Sequence, residues 1–146
     1  MGVIRWLVLM LLIAPPAAAQ SGDGADPQVL ADFARQAGVH DAPAFVVTVQ
    51  TLHEIGHLPA SYVTKQAAAE HGWHGGGLCE VWPGHAIGGD LFDNSRRQVP
   101  SSAGRVWHEA DLDETCRSRG PVRLIFSNDG LIYLSPDHYR SFVPVP

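Results

Sequence analysis

Charge is sparse in this chain, and none of it is in basic excess. Asp, Glu, Lys and Arg make up 17% of the 146 residues, and 15 acidic residues against 10 basic ones give a formal charge of -5. A low charged fraction beside 45% hydrophobic residues excludes intrinsic disorder, which needs high net charge and too few apolar groups for a core. The missing basic excess withholds the overall electrostatic signature of a nucleic-acid-binding domain. Length is short too: it suits one domain of ~100–200 residues and leaves no room for two. No internal repeat or low-complexity array is present. Long hydrophobic runs are missing with one exception, Trp6–Ala14, which is about half the ~20 residues a membrane span requires.

That exception reads as a leader. Arg5 precedes the apolar run, and Pro15-Pro16 and Ala17-Ala18-Ala19 follow it. This order predicts a secretory signal peptide over residues 1–19, cleaved after Ala19, and a secreted, extracellular product with no membrane attachment. The alternative is an uncleaved N-terminal anchor. Residues 20–40 then form a linker or pro-segment with a short helix, and 41–146 the main domain. An oxidising destination permits a bridge between Cys79 and Cys116, the two cysteines of the chain. Closing a loop of about 37 residues contributes roughly 3–4 kcal/mol by restricting the unfolded chain. Two buried free thiols are the alternative.

Helices are expected first and strands last. Asp26-Pro27 supplies an N-cap and a first-turn proline, and Val29, Leu30 and Phe33 continue at helical spacing until Gly38. A second helix starts near Asp41-Ala42-Pro43, buries Phe45, Val49, Leu52 and Ile55, and stops at Gly56. A third begins after Thr64 and ends at Gly72. Between His74 and Pro100 the composition is loop-like, with glycines at 75–77, 84, 88 and 89. From Gly104, Val106, His108, Ala110 and Leu112 alternate with Arg105, Trp107, Glu109 and Asp111, the period of a strand. Val122–Ser127 and Leu131–Leu134 flank Asn128-Asp129-Gly130 as a hairpin, which sets Arg123 roughly opposite Pro136 with His138 just beyond the open end. Tyr139–Val143 reads as a last short strand. The sum is an α+β domain.

His53-Glu54-Ile55-Gly56-His57 matches the H-E-x-x-H zinc-peptidase pattern. That chemistry needs both histidines one helical turn apart, with the glutamate activating a zinc-bound water. Gly56 and Pro59 end the helix, so His57 falls beyond it, and 58–63 supplies no third histidine. A third ligand would have to come from His71 or His74. A zinc metallopeptidase is therefore kept as the rival reading, and a chance match on surface polar residues is preferred.

From about Asp41 onward, several stretches resemble the barnase/binase-type secreted bacterial ribonucleases, the guanyl-preferring microbial ribonuclease family. They are Leu58-Pro59, Tyr62–Lys65, Gly72-Trp73, Pro83-Gly84, Ile87–Phe92 with Asn94, and Pro100. Further matches are Gly104-Arg105, Trp107, Glu109–Asp111, Arg119, Arg123, Ser127, Asp129, Leu131–Tyr133 and Asp137–Tyr139. The resemblance covers roughly a hundred residues in order, with one short deletion in the glycine loop. It implies N-terminal helices packed on a twisted antiparallel sheet, and cleavage of RNA by transesterification without a metal or other cofactor.

Such a reaction needs a base for the 2′-OH proton, cations around the phosphorane oxygens and an acid for the 5′ leaving oxygen. By resemblance Glu109 is the base, His138 the acid, and Arg119, Arg123 and Lys65 surround the phosphate, with Asp90 supporting Lys65. Phe92, Asp93, Asn94, Ser95, Arg96 and Tyr139 would bind the base. Relatives usually carry a basic residue and then a glutamate after the Asn; here Ser95 and Arg96 stand there, which implies a weakened guanine preference. The resemblance also places Cys79 and Cys116 in loops on the same side of the sheet. It implies a monomer with RNA as substrate, and a barstar-like inhibitor as a partner to look for. A non-catalytic RNA- or protein-binding relative is the third reading, countered by the retained Glu109 and His138.

Overall fold

The computed structural model describes residues 26–146, so the leader and its boundary after Ala19 lie outside the described residues. Three helices come first or early: α1 (Pro27–Gln36), α2 (Ala42–Ile55) and α3 (Lys65–Glu70). The strands are β1 (Tyr62–Val63), β2 (Ala86–Leu91), β3 (Trp107–Asp111), β4 (Arg123–Ser127), β5 (Ile132–Ser135) and β6 (Val143–Pro144). They form one sheet in chain order. All neighbours are antiparallel except β1 and β2, which are parallel, so the sheet is mixed at that edge.

The helix ends follow the expected capping chemistry. Asp26 accepts the Gln28 N–H at 2.7 Å, Asp41 that of Ala44 at 3.0 Å, and Thr64 that of Ala67 at 3.2 Å. Gly56 closes α2 in the left-handed region at φ 74. The inward stripe of α2 is Phe45, Thr48, Val49 and Leu52. Ile55, expected in the core, is 55% exposed, because it is the final residue of α2, one turn beyond the last buried position, Leu52. On one face of the sheet, Ala110, Leu112, Leu124, Phe126, Ile132 and Leu134 pack against α2 and against Leu30 and Ala34 of α1. The short helix within 20–40 therefore shares the main core.

Three local expectations are corrected. The loop-like stretch contains β2: Gly88 lies so close to Tyr62 that a Cβ would stand 2.6 Å from its ring, and Gly89, at φ 98, shifts the register between Gly88 and Asp90. These glycines, which suggested a loop, provide close packing and a bulge. The hairpin pairs Arg123 with Ser135, one residue short of Pro136, because three residues, Asn128-Asp129-Gly130, form the loop and Ser127 bonds Leu131. The last strand is only Val143–Pro144. Tyr139–Ser141 turns instead, since the Asp137 carboxylate gathers the N–H groups of Arg140 and Ser141 and His138 and Tyr139 take positive φ. The Cys79–Cys116 disulfide is formed, with Cα atoms 4.9 Å apart.

Arg105 grips the hairpin tip, its Nε 2.9 Å from both Asp129 oxygens and Nη2 2.7 Å from Oδ2. These bonds, with that from Ser127, hold the Asp129 carboxyl at about 2, against an ordinary 3.8. A depressed carboxylate stabilises the fold fully above its ordinary value and loses that contribution as pH falls through the folded value. Arg105→Gln should move the Asp129 midpoint up towards 3.8 in an NMR titration and flatten the stability loss between 3.8 and about 2. An unmoved midpoint would refute the assignment.

Candidate active site

Strand alternation sends Trp107, Glu109 and Asp111 of β3 to the face opposite α1 and α2, together with Arg123, Ile125 and Ser127 of β4. One end of that face is apolar, built by Trp107, Ile125 and Val99 with Phe92, Tyr133 and Tyr139. The other end is charged and nearly dry: Glu109, Asp111 and Arg123 are 7%, 1% and 2% exposed. Charges so far from water persist only when paired.

Each is paired. Lys65 Nζ lies 2.7 Å from Glu109 Oε1, and the Tyr139 hydroxyl donates to Oε2 at 2.6 Å. Burial first, and then the Glu109 carboxylate, push the Tyr139 hydroxyl up to about 12, so it remains a donor. Arg123 Nε donates to the Tyr139 oxygen at 3.1 Å and stands 3.1 Å from Asp111 Oδ1. Its Nη1 donates to the carbonyls of Arg119, Gly120 and Val122. Arg119 clasps Asp111 with two bonds of 2.6 and 2.8 Å, which raise its pKa; Tyr139 and Glu109 add smaller contributions.

Lys65 opens α3, and Asp90 accepts its backbone N–H at 3.0 Å. Asp90 thus supports Lys65 through the main chain at the helix start, placed there by the bulge of β2. His138 is exposed at φ 59, its N–H donating to the Pro121 carbonyl at 2.9 Å. Its ring lies 5.1 Å from that of Tyr139. The structure therefore joins Glu109, Lys65, Tyr139, Arg123 and Arg119 through direct contacts and Asp111, and sets His138 on the rim beside them.

Next to Tyr139, a cavity of about 210 Å³ is lined by Phe92, Asp93, Ser95, Arg96, Gln98 and Tyr139. Phe92 stacks near Tyr139 at 5.8 Å. Asn94 does not line it: its amide bonds the Val99 carbonyl and N–H and shapes the loop. The Ser95 N–H and hydroxyl donate to Asp93, holding that carboxyl below its ordinary value. Sequence reading missed Gln98, which donates to the Tyr139 carbonyl, and Asp111. The signal for Asp111 was present, two residues from Glu109 on the same strand face and opposite Arg123. A second cavity, about 690 Å³, has an acidic lining of Asp41, Asp113 and Glu114 that opposes a polyanion.

The H-E-x-x-H histidines do not share one helix. His53 sits in the last turn of α2, and Gly56 turns the chain before His57, whose Nδ1 lies 3.0 Å from the Leu58 carbonyl. His71 stacks on Trp82 at 4.0 Å. Among the described residues, no group of three or more His, Cys, Asp or Glu converges to hold a metal.

Asp111→Asn removes the counter-charge of a buried guanidinium. It should cost roughly 3–5 kcal/mol of unfolding free energy in urea titrations, the scale for breaking a buried pair. A loss below ~1 kcal/mol, the scale of a surface pair, would show that Arg123 does not depend on it.

A family model described as ribonuclease matches residues 47–146. A ribonuclease of Heyndrickxia coagulans is 44% identical over 90 residues, covering 60% of this chain and 83% of that protein. Ribonucleases of Bacillus intermedius and Bacillus pumilus show the same identity over the same length, and the match spans 56% of each, about half their length. With a family match over most of its length falling on the strands and loops that build the charged cleft, the chain belongs to the ribonuclease family.

Proposed function

We propose that this ribonuclease is a secreted, metal-independent endoribonuclease cleaving single-stranded RNA by transesterification through a 2′,3′-cyclic phosphate. The observation that carries the reading is the buried Glu109 carboxylate among Lys65, Arg119 and Arg123, with an exposed histidine at the rim. Glu109 takes the 2′-OH proton and the 2′ oxygen attacks phosphorus. The bond to the 5′ oxygen breaks as His138 delivers a proton to it. Lys65, Arg119 and Arg123 offset the charge growing on the phosphorane oxygens. In the slower second step the roles reverse: His138 activates water and Glu109 returns its proton to the 2′ oxygen.

Base choice belongs to the Phe92–Tyr139 cavity. Guanine offers an N–H edge to a carboxylate, but Arg96 occupies the loop where relatives usually carry one, and the Ser95 N–H is already bonded to Asp93. Losing one charge-assisted hydrogen bond is worth roughly 1.5–3 kcal/mol, so guanine is preferred less sharply. Export is supported by the sequence pattern of Arg5, the Trp6–Ala14 apolar run and Ala17–Ala19.

Glu109→Ala and His138→Ala should each lower cleavage at least roughly 10²-fold while the fold is retained, and EDTA should leave wild-type cleavage unchanged. Full activity in either variant would sink the roles; EDTA-sensitive cleavage would favour a metal mechanism.

Arg96→Glu should sharpen guanine preference across GpN, ApN and UpN dinucleotides. Uniform cleavage in both proteins would show that this loop does not select the base.

A further inference from the structure

The connection between β3 and β4 carries Arg119, and its anchors differ along its length. Asp113, at φ 55, accepts the N–H groups of His40 and Asp41 at 2.8 and 2.9 Å. Glu114 accepts the N–H groups of Leu78 and of Ile87. Beyond Glu114 the hydrogen bonds turn inward. Thr115 and Ser118 bond each other, and the Ser118 hydroxyl accepts the Gly120 N–H. Thr115–Ser118 is exposed throughout, and among the described residues no hydrogen bond or ion pair ties it to another segment. Its anchors are the Cys79–Cys116 disulfide and close packing on Gly77, where a Cβ would stand 1.9 Å from the Thr115 carbonyl oxygen. Arg119 follows this turn directly.

We propose that the Cys79–Cys116 disulfide is a positioning device for Arg119, so that phosphate binding depends on the oxidation state of the two cysteines. The inference rests on the proposed role of Arg119 at the phosphate. Asp111 fixes the guanidinium and Arg123 Nη1 holds the Arg119 and Gly120 carbonyls, while the tether fixes the turn that leads into them. A dithiol reductant supplies two electrons and two protons; the S–S bond breaks, both cysteines become thiols, and the reagent leaves as its cyclic disulfide. The freed turn then samples more conformations, and the cost of ordering it shifts into RNA binding. Glu109, Lys65 and His138 lie on other segments, so the proton transfers persist. A chain in a reducing compartment binds RNA more weakly than the same chain after oxidation.

The test is steady-state cleavage of a short single-stranded RNA by Cys79→Ser/Cys116→Ser, with inorganic phosphate as competitive inhibitor. The phosphate inhibition constant should rise about fivefold or more and kcat/KM should fall at least as far, because Arg119 acts on the phosphate in the ground state and the transition state alike. A smaller folded fraction lowers apparent kcat alone, so that pattern, or wild-type values throughout, overturns the proposal. Arg119→Ala in disulfide-intact protein should weaken phosphate at least as much. If it has no effect, the phosphate role of Arg119 fails independently of the tether. In the Arg119→Ala background the serine pair should add little, since both act through one side chain. Wild-type protein in dithiothreitol, its thiols counted by titration, is the second form. If both disulfide-free forms are unfolded at every assay temperature, the bond serves stability alone and the proposal is refuted.

Discussion

One buried carboxylate organises the cleft. Asp111 is 1% exposed and holds two guanidinium groups, Arg119 from the connection beyond β3 and Arg123 from β4. Neither charge at the Asp111–Arg123 contact is tolerable alone at that depth, so strand pairing, connection geometry and charge placement are satisfied together. Pairing directly opposite Arg123 also fixes the register of β3 on β4. That register puts Glu109, two residues back on the same face, beneath Lys65 and Tyr139. A one-residue slip would turn Glu109 towards the α1/α2 core and replace it with His108.

The two faces of the sheet divide stability from chemistry. The face under α1 and α2 is apolar along β4 and β5 and at Ala110 of β3, with His108 stacked on Phe126 beside it, while the other is apolar only at one end and gives the rest to paired charges. An overall charge of -5 is compatible with anionic substrate because Lys65, Arg119 and Arg123 converge around Glu109 and Asp111, and local potential is set by nearby charges. Acidic residues elsewhere, such as Asp41, Asp113 and Glu114 around the 690 Å³ cavity, leave that cluster intact.

Loops complete the site through turn chemistry. The bulge at Gly89 aims Asp90 at the start of α3, the Asp137 turn carries His138 and Tyr139, and Asn94 braces the 92–98 loop. In each case a short polar side chain or a glycine substitutes for regular backbone pairing and directs a neighbour into the cleft.

Local chemistry made much of this legible in the sequence. Caps at Asp26, Asp41 and Thr64, the stop at Gly56, the alternation around Glu109 and the hairpin about Asp129-Gly130 all depend on residues within a few positions of one another. The order of motifs identified the family's pattern and singled out Glu109, Lys65, Arg119, Arg123 and Tyr139, which the structure draws together. What remained hidden depends on distant partners. Gly88 belongs to a strand because it pairs with Ala110, and it must be glycine because the Tyr62 ring lies against it; the hairpin register depends on which residues close the loop. Asp111 is an ordinary strand residue until two arginines converge on it, one of them carried by the turn that Cys79 and Cys116 tether. The sequence by itself determined which groups are available and where the chain turns. Only the tertiary structure decided which charges lose water and must pair, because desolvation depends on everything packed around a group.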